Sequence, residues 1–492
     1  MSQSKEVTKA LASGFVFDAR AFDLINSLPQ ESDVDELMAR LMERKGGAGA
    51  GSKRITESDV KLVFPAQPEI ANEALRLVIE EEAEFEMMSD PTPAIAPATA
   101  LEGFGRLFRD RYDRLLSVVR KRPDMKGAGT TSAGRSVAQG QKVKVAGLLS
   151  NKVHKKNNME VTVDDPNGTL RVVCQDEGVV KALMEAPLDS MVVLEVSRSK
   201  SGQLYANSLT LPDVPDRRVS GSSHRVYAVL LSDLHVGSKM FLADDFQRFV
   251  QWINGKLGDL DVVNRIKYVV IAGDLIDGVG VYPGQELQLA ERNPKKQYEQ
   301  AARLLEQLPG RLQIVISPGN HDTVRQALPQ PAVPPDLAEP LYRMENVRWV
   351  GDPAYIKLHG VTFLIYHGKS LDDVIATTPN LTYDRPTEAM KLLLRSRHLA
   401  PTYGKRTALS PELRDFMVVD PVPDVFHSGH VHTFGELDYR GTVIVNSGTW
   451  QAQTSFQTNM GLDPTPSIIP VVDLADLSVI RRNFGPAGFP ST

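Results

Sequence analysis

The chain is poor in cysteine, in long apolar runs and in net charge, and each shortage excludes something. One cysteine in 492 residues, Cys174, rules out an intramolecular disulfide and any Cys-rich zinc module. It suits a reducing compartment and is expected in a core. No apolar run is long enough to cross a bilayer, and the opening Met1-Ser-Gln-Ser-Lys-Glu6 has no signal-peptide core. The expected location is therefore the cytoplasm, away from membranes. A total of 56 Lys and Arg against 61 Asp and Glu leaves a net charge of −5, which argues against a uniformly basic nucleic-acid binder but allows a local basic groove. With 42% apolar and 24% charged residues the chain is not mostly disordered, and its length calls for two to four domains.

Four stretches differ in texture. Residues 1–65 read as a small helical domain: Val7 to Leu11, Phe22 to Leu28 and Val34 to Met42 carry apolar residues three and four apart, and Thr56-Glu-Ser-Asp59 resembles a capping box. The Gly46 to Gly51 tract reads as a loop. Residues 66–140 read as a flexible linker with a helix, marked by an acidic run (Glu80 to Glu86), prolines 91, 93 and 97, and a Gly/Ser/Thr/Ala-rich end. Its helix, Phe104 to Arg122, is expected to show solvent a basic face. Residues 141–213 predict a β-barrel: strands at Val143–Leu149, Met159–Val163 and Thr169–Cys174, a helix at Val179–Met184, then strands at Met191–Val196 and Leu204–Leu211. That is the order of an OB-fold. Single-strand binding by such barrels uses aromatic platforms, and Tyr205 is the lone aromatic here, which favours a protein-contact or spacer role. Lys152, Lys155 and Lys156 keep a phosphate contact open.

From residue 214 to 492 the pattern is α/β. Buried-strand runs recur at Val226–Leu231, Tyr268–Ala272, Ile314–Ser317, Val361–Tyr366, Val425–His427 and Val443–Val445. Five polar segments follow such runs: Asp233-Leu-His235, Gly273-Asp-Leu-Ile-Asp277, Gly319-Asn-His-Asp322, Tyr366-His-Gly368 and Gly429-His-Val-His432, together holding five of the ten histidines. Ligand sites in such sheets lie at the carboxyl ends of strands, so these groups are expected at one rim. Oxygen and nitrogen donors without thiolate suit a pair of borderline divalent ions such as manganese, iron or zinc rather than magnesium alone. Asp274, in the middle of the series, is the natural bridge between two ions. Glycines beside Asp274, His321 and His430 are expected to let the backbone turn sharply. Alone, an Asp-x-His is more often a cap or surface loop. His154, His224, His359, His398 and His427 lack this setting, and His427, in a strand, is expected in the core.

The ordered series D-x-H, G-D-x-x-D, G-N-H-D, a lone His and G-H-x-H resembles the calcineurin-like metallophosphoesterase superfamily. Longer segments, Leu231 to Ser238, Gly273 to Gln285, Pro318 to Asp322 with Arg325 and Pro329-Gln-Pro331, Arg397 to Gly404 and Asn446 to Gln451, resemble the small-subunit family of archaeal D-family DNA polymerases. The resemblance is strong over residues 141–470. It implies a four-layer α/β/β/α calcineurin-like domain behind an OB-fold barrel and a small N-terminal helical domain. It also implies a 3′→5′ proofreading exonuclease that acts on DNA 3′ ends and pairs with a large catalytic polymerase subunit. By the same resemblance one metal ion falls to Asp233, His235, Asp274 and His432, and the other to Asp274, Asn320, His367 and His430. His321 is then a non-ligand histidine assisting the leaving group. Related nucleases have a histidine where Asp277 stands, so Asp277 is either catalytic or orients a ligand histidine. Arg325 and the stretch Arg395 to Gly404 are candidates for holding the DNA end, and Gln285, Trp450 and Gln451 for lining the site. Two other readings stand beside this one: a metallophosphatase with a non-DNA substrate, and a mainly structural subunit.

Overall fold

The computed structural model describes residues 10, 15–17, 21, 25, 34, 37, 38, 40–42, 54–56, 59, 60, 82–95, 100–156, 158–219, 221–486 and 488. The chain divides into two compact units, Met1–Glu81 and Glu82–Thr492. In the first, described residues at 10, 21, 25, 34, 37, 38 and 40–42 are helical, and Val16–Phe17 pairs in parallel with Arg54–Ile55. Ile25, Leu37, Met38, Leu41 and Ile55 share its core. At the expected capping box the Thr56 N–H and hydroxyl both donate to the Asp59 carboxylate at 2.8 Å. The Gly46 to Gly51 tract lies outside the described residues.

The second unit opens with strand β1 (Phe85–Ser89) and helix α1 (Ala100–Lys121). A barrel follows: β2 (Lys142–Lys155), β3 (Asn158–Asp165), β4 (Gly168–Cys174), α2 (Glu177–Glu185), β5 (Met191–Arg198) and β6 (Leu204–Thr210), closed in the order β2-β3-β4-β6-β5. Alternation explains it: Val161, Val163, Leu170, Val172, Cys174, Leu194 and Val196 point inward and are buried together. Burial pushes the Cys174 thiol up to about 12, so the lone cysteine is inert packing.

Two six-stranded sheets form the rest. The first is built on β7 (Tyr227–Leu231), β8 (Ile266–Ala272), β9 (Gln313–Ser317) and β10 (Val347–Trp349), all parallel. The second takes β11 (Ala354–Leu358), β12 (Val361–Ile365), β13 (Val425–Ser428), β14 (Phe434–Tyr439) and β15 (Thr442–Ser447), in the order β14-β15-β13-β12-β11-β1. Strands β16 (Ile468–Asp473) and β17 (Val479–Asn483) extend the first sheet antiparallel beside β7. Every residue of β7, β8 and β13 is buried, as runs such as Tyr-Val-Val-Ile-Ala require. Phe246, Phe249, Val250 and Ile253 of one helix and Tyr298, Ala301 and Leu305 of another pack on the first sheet, while Leu371, Val374, Met390 and Leu393 pack on the second. Among the described residues no helix is long and apolar enough to cross a membrane.

Three expectations need correction. The 66–140 stretch is not a bare linker where it is described. Strand β1 pairs antiparallel with β11, and the Gly-rich end carries a short helix, Thr131–Ser136, whose Thr131 N–H and hydroxyl donate to Asp165 at 2.6 and 2.8 Å. A strand so rich in acid and methionine, Phe-Glu-Met-Met-Ser, hides its alternation, because it lies at a sheet edge with Met87 and Met88 exposed. The basic face of α1 is not wholly solvated either. Arg111 is fully buried, its guanidinium donating to Asp415 at 2.7 Å and to the Pro401 carbonyl at 2.8 Å, and Asp415 also accepts from His398 at 2.9 Å. Nor is Lys152 free for phosphate, since it donates to the carbonyls of Leu183, Met184 and Ala186 at the end of α2. Removing one partner of a buried ion pair strands the other, so Arg111→Ala is expected to cost about 3–5 kcal/mol in chemical unfolding.

Candidate metal centre

The five polar segments leave the carboxyl ends of β7, β8, β9, β12 and β13 and meet at one rim. The backbone there is strained: Asp233, His235, Asp274, His430 and His432 all have positive φ, between 51° and 71°. For non-glycine residues that costs on the order of 1 kcal/mol or more each, and such strain collects at functional sites. The ligand candidates, rather than all their glycines, make the sharp turns. Gly273 does turn, at φ 86°, but Gly319 and Gly429 have no such φ and serve as gaps instead. A Cβ on Gly319 would lie 2.2 Å from Asp274 Oδ1, and one on Gly429 would lie 2.3 Å from Asp233 Oδ2.

Two neighbouring groups emerge. In one, Asp233, His235 and His432 bring donor atoms within 4.8 Å of one another; in the other, Asp274, His367 and His430 do the same. Asp274 stands between them, its Oδ2 3.3 Å from His367 Nε2 and 3.9 Å from His235 Nε2. Asn320 joins the second group, its Oδ1 3.1 Å from His367 Nε2. A third trio, His235, Asp274 and His321, brings His321 within the same reach. Proximity alone therefore does not separate His321 from the other imidazoles.

The rings are held in the manner that metal binding needs, with the far nitrogen tied and the near one turned toward the other ligand candidates. His235 Nδ1 donates to Asp277 Oδ1 at 3.0 Å, His367 Nδ1 to the Ala272 carbonyl at 2.9 Å, and His430 Nε2 to Asp372 Oδ2 at 3.2 Å. His432 is the exception: its Nδ1 accepts from Gln457 at 2.7 Å, so the Gln457 amide must turn over before His432 Nε2 can offer a lone pair. Asp277 is thus in place to orient His235, and Gln285 and Gln451 donate to it in turn.

Electrostatics point the same way. Burial opposes charging His235 and His367, yet Asp233, Asp277 and Asp274 around the first and Asp274, Asp233 and Asp352 around the second outweigh it and raise both to about 10. Burial likewise works against ionising Asp233 and Asp274, and the surrounding histidines hold both below the usual carboxylate range. The cluster therefore calls for positive charge, which is what divalent ions supply as they displace protons. His321 differs: burial pushes it down to about 4, so it is neutral at pH 7, with Nδ1 donating to the Asp277 carbonyl at 2.8 Å. Its Nε2 then carries a lone pair.

Beside the cluster lies a cavity of about 320 Å³, lined by His235, Asp274, Asn320, His321, His430 and His432 and also by Tyr282, Tyr383, Arg406 and Gln451. The family profile for the B subunits of DNA polymerases alpha and epsilon matches residues 228–436. The DNA polymerase II small subunit of Archaeoglobus fulgidus is 36% identical over 471 residues, 94% of this chain and 94% of that one. That of Methanothermobacter thermautotrophicus is 33% identical over 484 residues, 96% and 99%. The chain belongs to the DNA polymerase II small-subunit family. The Pyrococcus furiosus small subunit is 38% identical over 387 residues, 77% of this chain, so the match spans less than two thirds, 63%, of that relative. Vps29 of Entamoeba histolytica complexed with zinc aligns over 53% of this chain at 15% identity, and an archaeal phosphodiesterase over 52% at 14%, each with a TM-score of 0.27, too slight a likeness to argue from.

Several expected site residues of this family member lie elsewhere. Arg325 pairs with buried Glu412 at 2.8 Å and donates to the Pro329 carbonyl, so its cation is spent on the loop. Arg397 and His398 are buried, bonded to the Val419 carbonyl and to Asp415. Trp450 packs among Phe246, Phe249 and Phe484, and Gln285 sits behind Asp277; of the three proposed lining residues, only Gln451 reaches the cavity. His427 is buried against Ser447, as its strand position suggested. Conversely, Asp372, Asp352, Asn446 and Gln457 touch the centre unannounced. Asp352 accepts the His367 N–H at 2.8 Å, and Asn446 donates to the Gly429 carbonyl at 2.7 Å. Asp372 had a faint signal, sitting in the first turn of the helix Leu371–Thr377 directly after His367. Asp372→Ala is expected to weaken one ion by roughly 10–100-fold in a calorimetric titration while sparing the other, as lost support behind a ligand does.

Proposed function

We propose that this chain is a metal-dependent 3′→5′ exodeoxyribonuclease that hydrolyses the 3′-terminal phosphodiester of DNA in proofreading, acting in the cytoplasm as the small partner of a large catalytic polymerase subunit. The observation that carries the reading is the convergence of seven oxygen and nitrogen donors, with three of the four imidazoles anchored at the far nitrogen and five of the seven donors lining one open cavity. In this reading residues 1–65 are a helical domain, 141–213 an OB-fold and 214–492 a calcineurin-like metallophosphoesterase domain, to whose second sheet the stretch 66–140 lends the edge strand Phe85–Ser89. Asp233, His235, Asp274 and His432 hold one divalent ion, and Asp274, Asn320, His367 and His430 the other. Manganese is the expected metal, with iron, zinc and magnesium as the alternatives. When bound, such ions supply the charge that activates water and offsets the phosphate oxygens.

The chain's own residues do the rest. Asp277 keeps the His235 ring oriented, and Asp372 does so for His430. Neutral His321 accepts at Nε2 the proton released by the attacking water and delivers it to the departing 3′ oxygen as the P–O3′ bond breaks, freeing a nucleoside 5′-monophosphate. The test compares a 3′-labelled single-stranded oligonucleotide with a phosphomonoester, each with manganese. Faster release of labelled mononucleotide supports the reading; hydrolysis of the monoester alone replaces it with a phosphatase, and turnover of neither leaves a structural subunit.

A further inference from the structure

Among the described residues that line the cavity, Arg406 is the one arginine and none is a lysine. Its backbone is pinned: the N–H groups of Arg406 and Thr407 donate to the buried Asp373 carboxylate at 3.0 and 2.8 Å. Asp373 is the neighbour of Asp372, so one helical turn both props His430 and fixes where Arg406 begins. The side chain itself is exposed, and among the described residues its guanidinium makes no hydrogen bond or ion pair. Asp372, the acid whose charge it feels, is occupied on both oxygens by His430 and Tyr383. The contrast with Arg325, Arg397 and Arg111 is chemical, since each of those is spent on a protein acceptor.

We infer that Arg406 binds a phosphate of the DNA strand adjoining the one being cut, and so sets the preference of this site for a nucleic-acid strand over an isolated phosphate ester. The inference rests on the nuclease reading. An exposed guanidinium with five donors and, among the described residues, no partner, lining the same cavity as the ligand candidates that would take the scissile phosphate, is suited to a second phosphate, and its planar fork matches two phosphate oxygens. The neighbouring Lys405 does not line the cavity and serves as the control.

The experiment measures kcat/KM on single-stranded oligonucleotides in which each of the two linkages upstream of the scissile bond is replaced, one at a time, by uncharged methylphosphonate. For the wild-type chain, neutralising one of them is expected to cost about tenfold, mainly in KM. Arg406→Ala is expected to lose about tenfold on the all-anionic strand and nothing further on that neutral one, with a salt dependence shallower by about one charge. Lys405→Ala should match the wild type. An Arg406→Ala chain with unchanged KM, or one whose loss multiplies with that of the neutral linkage, overturns the inference. Oligonucleotide anisotropy in calcium gives a readout without turnover. If the wild-type chain cuts no strand, the nuclease reading falls, and equal binding of anionic and neutral strands by wild type and Arg406→Ala sinks the Arg406 contact separately.

Discussion

Asp274→Asn is expected to abolish nuclease turnover, by at least about 10³-fold, and to remove both ions from the purified chain while circular dichroism stays unchanged. Asparagine keeps an oxygen for the His321 N–H, which Asp274 Oδ1 now accepts at 2.8 Å, so the loop around His321 retains its bond. What disappears is the negative charge at the junction of the two ligand groups, where Oδ2 faces His367 and His235. Metal charge stabilisation is worth several kcal/mol in such reactions, and 1.36 kcal/mol is tenfold, which sets the size of the loss. The rise in melting temperature that manganese gives the wild-type chain should vanish as well, because an ion stabilises only a fold that binds it. Elemental analysis together with the oligonucleotide assay checks this. A variant that keeps two ions and measurable cleavage removes Asp274 from the bridge.

His321→Ala is expected to slow turnover by about 10²–10⁴-fold, the range of a positioned proton-transfer group, with both ions still bound. The structure makes the ion count as informative as the rate. His321 reaches the same neighbourhood as His235 and Asp274, so a lost ion would make it a ligand, and a wild-type rate at saturating manganese would make it a bystander. Its neutral state follows from burial behind the Asp277 carbonyl, and the free Nε2 lone pair is what allows it to receive a proton before giving one.

Much of this centre was legible in the sequence because metal chemistry restricts donor types and strand ends restrict where donors emerge. Asp233-x-His235, Asp274, Asn320-His321, His367 and His430-x-His432 each follow an apolar run, and each run is a strand that ends beside the cluster. The barrel was legible through its period of two, including the antiparallel neighbours Met159–Val163 and Thr169–Cys174. What escaped were contacts made across the chain. Asp372 reaches His430 from 58 residues away, and Arg111 reaches Asp415 from 304; nothing local in a helix first turn or a basic helix face announces such a partner. Arginine was the least legible type, since its role depends on whether an acceptor happens to lie opposite: Glu412 takes Arg325, whereas Arg406, just past the stretch Arg395 to Gly404, is left facing the cavity. The glycines of the motifs were read correctly as necessary and incorrectly as uniform, because two of the three leave room for a carboxylate rather than turn the chain.

The most direct measurement is anomalous scattering from crystals of the chain grown with manganese. The account predicts two peaks about 3.5–4 Å apart, one on each side of the Asp274 carboxylate, with Asp233, His235 and His432 around the first and Asn320, His367 and His430 around the second. A single peak, or manganese bound away from these residues, would contradict it.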